Sequence, residues 1–185
     1  GAPVAYWVSQ KMIDAFSSPH VEKYDYPKQG LSTADNERFL RYWHEVEKGK
    51  FASGCNNRQE AQVSRAKWFP FNEGGDYRKW YGNFDYVINW ENDGEELRNY
   101  KKAAIRNPDY YFLRHVTWSK VTTSRVSFRL RPAGSVFSDA GCAAIFGEND
   151  LWWILALLNT KYAQDVFDII NPTINYTQNT IANLP

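Results

Sequence analysis

The spacing of apolar and polar positions changes period along the chain. Apolar residues at Val4, Val8, Met12 and Phe16, with Trp7 beside them, recur at the interval of one helical face and predict an N-terminal helix. Two prolines and a terminal glycine in SSPHVEKYDYPKQG then predict a linker or long loop over 17–30. The run RFLRYWHEV alternates Arg38, Leu40, Tyr42 and His44 against Phe39, Arg41, Trp43 and Glu45, and its aromatic content favours a strand. KGKFASGCNNRQEAQVSR is polar and reads as loop, with room for a short helical turn. DYVINW reads as a strand, and Asn92 and Glu95, three apart, form a capping-box pattern ahead of a helix through NDGEELRNYKKAA. RHVTWSKV, RVSFRLR and SVFSD are short β-rich runs separated by Ser, Thr, Pro and Gly, as in an antiparallel sheet. A last helix, capped by Asn149 or Asp150, holds LWWILALLNTKYAQDVFDII. The pattern therefore predicts a mixed α/β fold with an antiparallel-rich sheet and flanking helices. Residues 1–29 read as an N-terminal helix and linker, and 30–185 as the domain proper.

One segment does not fit a simple strand or loop. KWFPFNEGGDYRKWYGN, at 67–83, packs a pair of adjacent glycines, adjacent bases and six aromatic rings together. Gly74 and Gly75 can take backbone conformations closed to other residues, and consecutive turn amides followed by Arg78 and Lys79 suit a phosphate. The same residues also suit a hairpin whose bases face water, and on either reading Trp68, Phe69, Phe71, Tyr77, Trp80 and Tyr81 are expected mostly in the core.

Charge sharpens this reading. The 185 residues carry 22 bases and 21 acids, a formal net charge of +1. Between 101 and 131, however, Lys101, Lys102, Arg106, Arg114, Lys120, Arg125, Arg129 and Arg131 meet only one acid, Asp109. Segregated positive charge is what a polyanion needs. The run from Trp118 through Lys120, Arg125, Phe128, Arg129 and Arg131 mixes bases, hydroxyls and rings as nucleic-acid surfaces do, and equally fits a solvated sheet face.

Several chemistries find no footing. NPDYYF at 107–112 is close to the Asn-Pro-Pro-Tyr signature of amino-group methyltransferases, but Asp109 replaces the second proline and no glycine-rich strand-to-helix turn accompanies it. It reads better as a turn. No acid stands two residues before a lysine, as restriction-type nucleases require. His20, His44 and His115 lack a metal or triad pattern, and WENDGEE is a helix start before it is a cation site. Cys55 and Cys142 are too far apart for a zinc knuckle and read as free thiols of a cytoplasmic chain. No leader opens the sequence, and LWWILALL is too short to span a bilayer. The single methionine, Met12, leads us to expect a piece of a longer parent.

Gly30-Leu31, Thr33, Asn36 and Phe39, then the 67–83 block, YVINWENDGEELRNY, IRNPDYYF, TWSK and LALLNTKYAQ…NPTINYTQNTIANLP form an ordered series. That series resembles the target-recognition region of large single-chain DNA adenine methyltransferases, above all the BREX phage-defence (PglX) family, with type IIG and TaqI-like relatives. It covers nearly the whole chain. The glycine-glycine block with RKWYGN is the more family-specific part, whereas the LLN helix and the terminal NLP recur in many specificity domains. Ala34 departs from the family's glycine and Thr160 from its serine. The resemblance implies a target-recognition fold over 30–185 that binds double-stranded DNA without itself catalysing. It places S-adenosylmethionine and the catalytic loop in a methyltransferase domain earlier in the same parent chain, with no cofactor or metal in this part. Within that reading, turn chemistry and positive charge give Gly74, Gly75, Arg78, Lys79, Lys101, Lys102, Lys120, Arg125 and Arg129 as the expected DNA contacts. The alternative is a module that docks other phage-defence subunits through its aromatic surface.

Overall fold

The structure is a computed structural model that describes residues 8–185. The predicted N-terminal helix is present as α1 (Gln10–Ala15), capped by Ser9, whose side chain accepts from the Met12 amide; Val4 and Trp7 lie outside the described residues. The stretch 17–30 is irregular but tied in. Val21 donates to the Leu184 carbonyl at 2.8 Å, and Lys28 and Ala143 exchange backbone hydrogen bonds of 2.6 and 3.0 Å.

The strand predicted around RFLRYWHEV shrinks to three residues. Asp35 accepts from the Arg38 amide at 3.1 Å and opens a helical turn, α2 (Asn36–Phe39), before β1 (Leu40–Tyr42). Glu45 then accepts from the Tyr42 amide at 2.8 Å and turns the chain again. In the polar run that follows, Asn57 caps α3 (Arg58–Ser64) by accepting from the Glu60 amide at 2.8 Å. Next come β2 (Trp68–Asn72), β3 (Tyr86–Asn89) and α4 (Glu91–Asn99). The capping box expected at Asn92 does not form, because Asn92, Asp93 and Gly94 all have positive φ and break α4 near its start. Strands β4 (His115–Ser119), β5 (Arg129–Arg131), β6 (Val136–Phe137) and β7 (Gly141–Ala144) complete the sheets.

The single C-terminal helix is in fact two, α5 (Glu148–Leu158) and α6 (Lys161–Ile170), followed by α7 (Gln178–Ala182). Residue chemistry explains the break. Asn159 turns its amide inward, donating to the carbonyls of Phe128 (2.9 Å) and Leu155 (3.1 Å) and accepting from the Phe128 amide (3.1 Å). Thr160 then restarts the helix, its hydroxyl accepting from the Ala163 amide at 3.2 Å. The start of α5 falls at Gly147 rather than Asn149 or Asp150, which lie within its first turn.

The strands form two sheets, β1-β3-β2-β6 and β5-β4-β7, antiparallel throughout except where β2 and β6 run parallel. The fold is thus the predicted mixed α/β class, with two small sheets in place of one. Each sheet has its own core. Phe39, Phe69, Phe71, Ile88, Trp90, Phe112 and Phe137 pack on the first, with α2 and α4. Val116, Trp118, Phe128 and Cys142 meet Ile154, Leu158, Val166 and Phe167 of α5 and α6 on the second. Trp118 is fully buried, and its indole N–H still donates to the Tyr176 carbonyl at 2.8 Å. Such a ring stabilises by roughly 2–3 kcal/mol without orphaning its donor. Asn72 stitches the sheets together, its side-chain amide donating to Thr117 Oγ1 (2.6 Å) and the Gly141 carbonyl (3.0 Å).

Candidate functional site

The segment that joins β2 to β3, residues 73–85, is too long for a tight hairpin, and it leaves its own sheet. It crosses to β5, the edge of the second sheet, where the Trp80 amide donates to the Phe128 carbonyl (2.9 Å) and the Trp80 carbonyl accepts from the Leu130 amide (2.8 Å). The loop therefore spans both sheets.

The paired glycines make that crossing possible. Gly74 and Gly75 have φ of 89° and 110°, where side chains are strained. A Cβ on Gly75 would also come within 2.9 Å of the Asn83 side chain. The Gly75 carbonyl accepts from Ser119 Oγ at 2.6 Å. The backbone amides of the exposed residues Gly75, Asp76 and Tyr77 make no hydrogen bond among the described residues.

Below the loop lie two guanidinium groups. On β5, Arg129 and Arg131 alternate inward with Leu130 between them, and they are only 1% and 2% exposed. Arg129 donates to Ser119 Oγ (3.3 Å), Ser127 Oγ (3.3 Å) and the Arg78 carbonyl (3.4 Å), while its Nε has no partner. Arg131 donates to the carbonyls of Asn83 (2.9 Å) and Phe71 (3.2 Å) and stands 4.3 Å over the Phe84 ring. Both hold the loop by its backbone oxygens.

Neither arginine has an ion-pair partner among the described residues. Burial first, and neighbouring positive charge second, pull each guanidinium down to about 10, which leaves both charged at neutral pH. Buried charge is poorly screened, so these two groups project a positive potential through the loop. Burying them without an ion-pair partner opposes folding.

The remaining sequence-predicted residues fall in different places. Arg78 is exposed and unpaired among the described residues, with its amide donating to Ser127 Oγ at 3.1 Å. Lys79 is half-buried and donates to the Asn159 carbonyl at 2.6 Å, at the C-terminal end of α5 where a cation suits the helix dipole. Arg125 is exposed in the β4–β5 connection, two residues from the Ser127 that meets the loop. Lys120 is half-exposed, its backbone held by Ala140 and Tyr176. Lys101 and Lys102 are exposed after α4, in the segment that pairs with Ser32 through Ala104 and not in the loop. Burial removes Arg129 from the outward-facing set and makes it a brace. Arg131, not singled out from sequence, is its twin, and the period-two spacing of the pair was the available signal.

The other polar clusters serve structure. Arg58 pairs with Asp93 and with Asp109 (2.8 Å), and Arg98 pairs with Asp93 (3.1 Å), tying α3 to α4. This network also accounts for Asp109 of NPDYYF, whose Pro108–Tyr110 portion is a 3₁₀ turn, and for Asp93 of WENDGEE, while Glu96 pairs with Arg38. No helix among the described residues is long and apolar enough to cross a membrane.

No family model matches the chain. Along its full length, however, it is similar to adenine-specific methyltransferase PglX of Lacticaseibacillus casei (strain Zhang), with 34% identity over 198 residues, and to adenine-specific methyltransferase BrxX of Escherichia coli O9:H4 (strain HS), with 40% over 191. It spans 16% and 15% of the length of those relatives. By sequence, then, the chain is homologous over all its residues to one segment of the PglX and BrxX adenine-specific methyltransferases.

Proposed function

We propose that this chain is the target-recognition part of a site-specific DNA adenine-N6 methyltransferase and that it grips and reads double-stranded DNA without catalysing the transfer. The observation that carries this reading is the buried pair Arg129 and Arg131, neither of them in an ion pair among the described residues, beneath a loop that presents Arg78. Arg78 and Arg125 contact phosphates or bases, and the free amides of Gly75 to Tyr77 meet a phosphate. Arg129 and Arg131 set the shape and potential of the loop from below, and Lys79 anchors it to α5. Residues 30–185 form the recognition domain, with 1–29 leading in from the preceding part of the parent.

S-adenosylmethionine, which supplies the methyl group, belongs elsewhere in that parent. The stretch of this chain nearest a methyltransferase signature is held in structure instead: Asp109 of NPDYYF pairs with Arg58, and the hydroxyl of Tyr111 donates back to the Arg106 carbonyl at 2.7 Å. A target adenine leaves the stack to reach the catalytic pocket while the recognition part holds the flanking duplex. In a phage-defence setting the mark would separate host from invading DNA, in the cytoplasm.

A second reading, docking to another part of the parent or to a companion subunit, draws on the exposure of Trp152 (55%) and Trp153 (43%) on α5, where Tyr24 meets Trp153 edge-on at 5.1 Å. Modified-base mapping of genomic DNA separates the two. Cells carrying the full-length parent should show N6-methyladenine at one short motif, and Arg78→Glu with Arg125→Glu should abolish or alter that motif in a protein that still folds by circular dichroism. An unchanged motif at unchanged occupancy would transfer the argument to Trp152 and Trp153.

A further inference from the structure

Trp80 combines a strained backbone with an exposed ring. Its φ is 73°, in the left-handed region where a bulky side chain is a true outlier. Gly74, Gly75 and Gly82 in the same loop meet positive φ with glycine, yet position 80 carries the largest side chain of all. Half of that side chain is in water, at 50% exposure. The backbone cannot relax to withdraw it, because Phe128 and Leu130 of the neighbouring strand hold the amide and the carbonyl. Tyr77 (52%) and Tyr81 (60%) stand exposed on either side, with Arg78 between them, so three of the six rings expected in the core face solvent.

A solvent-facing aromatic cluster by itself would suit any apolar partner. The charge beneath it decides the class. The loop and its floor carry Arg78, Lys79, Arg129 and Arg131 against Glu73, Asp76 and Asp85, and neither buried guanidinium is in an ion pair among the described residues, Asp85 being the one carboxylate that offsets Arg131 in part. A polyanion whose interior presents flat π-faces satisfies both features, and duplex DNA is such a ligand. Side chains placed this way part a base step, lie on the exposed base face and fix the register of the protein on the helix.

We infer that Trp80 is a stacking wedge that enters the duplex at one base step, with Arg78 on the adjoining phosphate. This deepens the DNA-recognition reading and rests on it. The braced loop supplies the stiffness that a wedge requires: Ser119 and Arg129 hold its first half, and Arg131 and Phe84 hold its return. Strain at φ 73° is then retained because the ring must point outward from a fixed backbone.

The test uses the full-length parent and duplexes containing its mapped motif, with 2-aminopurine placed in turn at each position in and beside the motif other than the target adenine. The wild type should change the fluorescence at one step. Trp80→Gly, which takes φ 73° without strain, and Trp80→Asn, which also tolerates it, should abolish that change and weaken binding roughly tenfold. The dependence of affinity on salt should stay as it was, since no phosphate contact is lost. Trp80→Phe should restore part of the signal. No fluorescence change in the wild type outside the target adenine, or a change that persists in either variant, overturns the wedge while leaving the recognition reading intact. Absence of salt-dependent binding by the wild type overturns both.

Discussion

His115 is completely buried, and its Nδ1 lies 2.9 Å from the Leu113 carbonyl while Nε2 faces the Asn72 amide at 3.4 Å. Burial, with Arg131 nearby, pulls the imidazole from 6.5 down to about 4, so the folded protein keeps it neutral. A proton then binds the unfolded chain more strongly than the folded one. Stability contributed by this site is complete above about pH 6.5 and is lost as the pH falls toward 4, by about 3 kcal/mol in all. Urea unfolding at pH 7.5 and 4.5 should show the loss in the wild type and a smaller one in His115→Gln. Parallel behaviour of the two proteins would refute it. Much at this scale was legible beforehand: His115 as a structural histidine, Gly74 and Gly75 as backbone devices, Arg78 and Arg125 as outward bases. The exchange of role by Arg129 was not, because the same strand pattern serves a buried face and a wet one equally well.

Among the elements, the α5–α6 break shows how two residues decide what hydrophobic periodicity leaves open. LWWILALLNTKYAQDVFDII is apolar enough to continue as one helix, and the interruption rests on side-chain hydrogen bonds of Asn159 and Thr160. Thr160→Ala should destabilise by about 1 kcal/mol, the worth of an N-cap, and Thr160→Ser by only a few tenths. Asn159→Ala should be worse, roughly 2–3 kcal/mol, since it unpairs the buried Phe128 amide, leaves the Phe128 carbonyl to Trp80 alone and slackens the strand that carries Arg129. Equilibrium denaturation measures each, and an Asn159→Ala variant as stable as Thr160→Ala would contradict the bracket described here. The short α2–β1 passage teaches the same lesson in reverse, for there a capping aspartate cut a promising strand to three residues.

At the scale of the molecule, a formal charge of +1 conceals the buried guanidiniums of Arg129 and Arg131 beneath the loop that bridges the sheets, with Arg78 exposed above them. Binding to duplex DNA should therefore weaken linearly in log–log with salt despite the near-neutral total, with a slope of about −0.9 for each phosphate engaged. In the full-length parent, Arg78→Glu should make that slope shallower by about one such unit, as read by fluorescence anisotropy across a salt series. A slope that does not change would place the phosphate contacts elsewhere.

The linear order of residues alone determined the mixed α/β class, most strands of the two cores, the basic middle third and the family series that runs from Gly30-Leu31 to the terminal NLP. Each of these is written in local periodicity or local identity. Only the tertiary structure decided that the strands divide into two sheets, that the 73–85 connection leaves its own sheet for the edge of the other, and that Arg129 and Arg131 lie under it. Those outcomes turn on which surfaces meet. Residues as distant as Gly75 and Ser119, or Lys79 and Asn159, become neighbours only once both cores have closed, and no spacing along the chain encodes that contact.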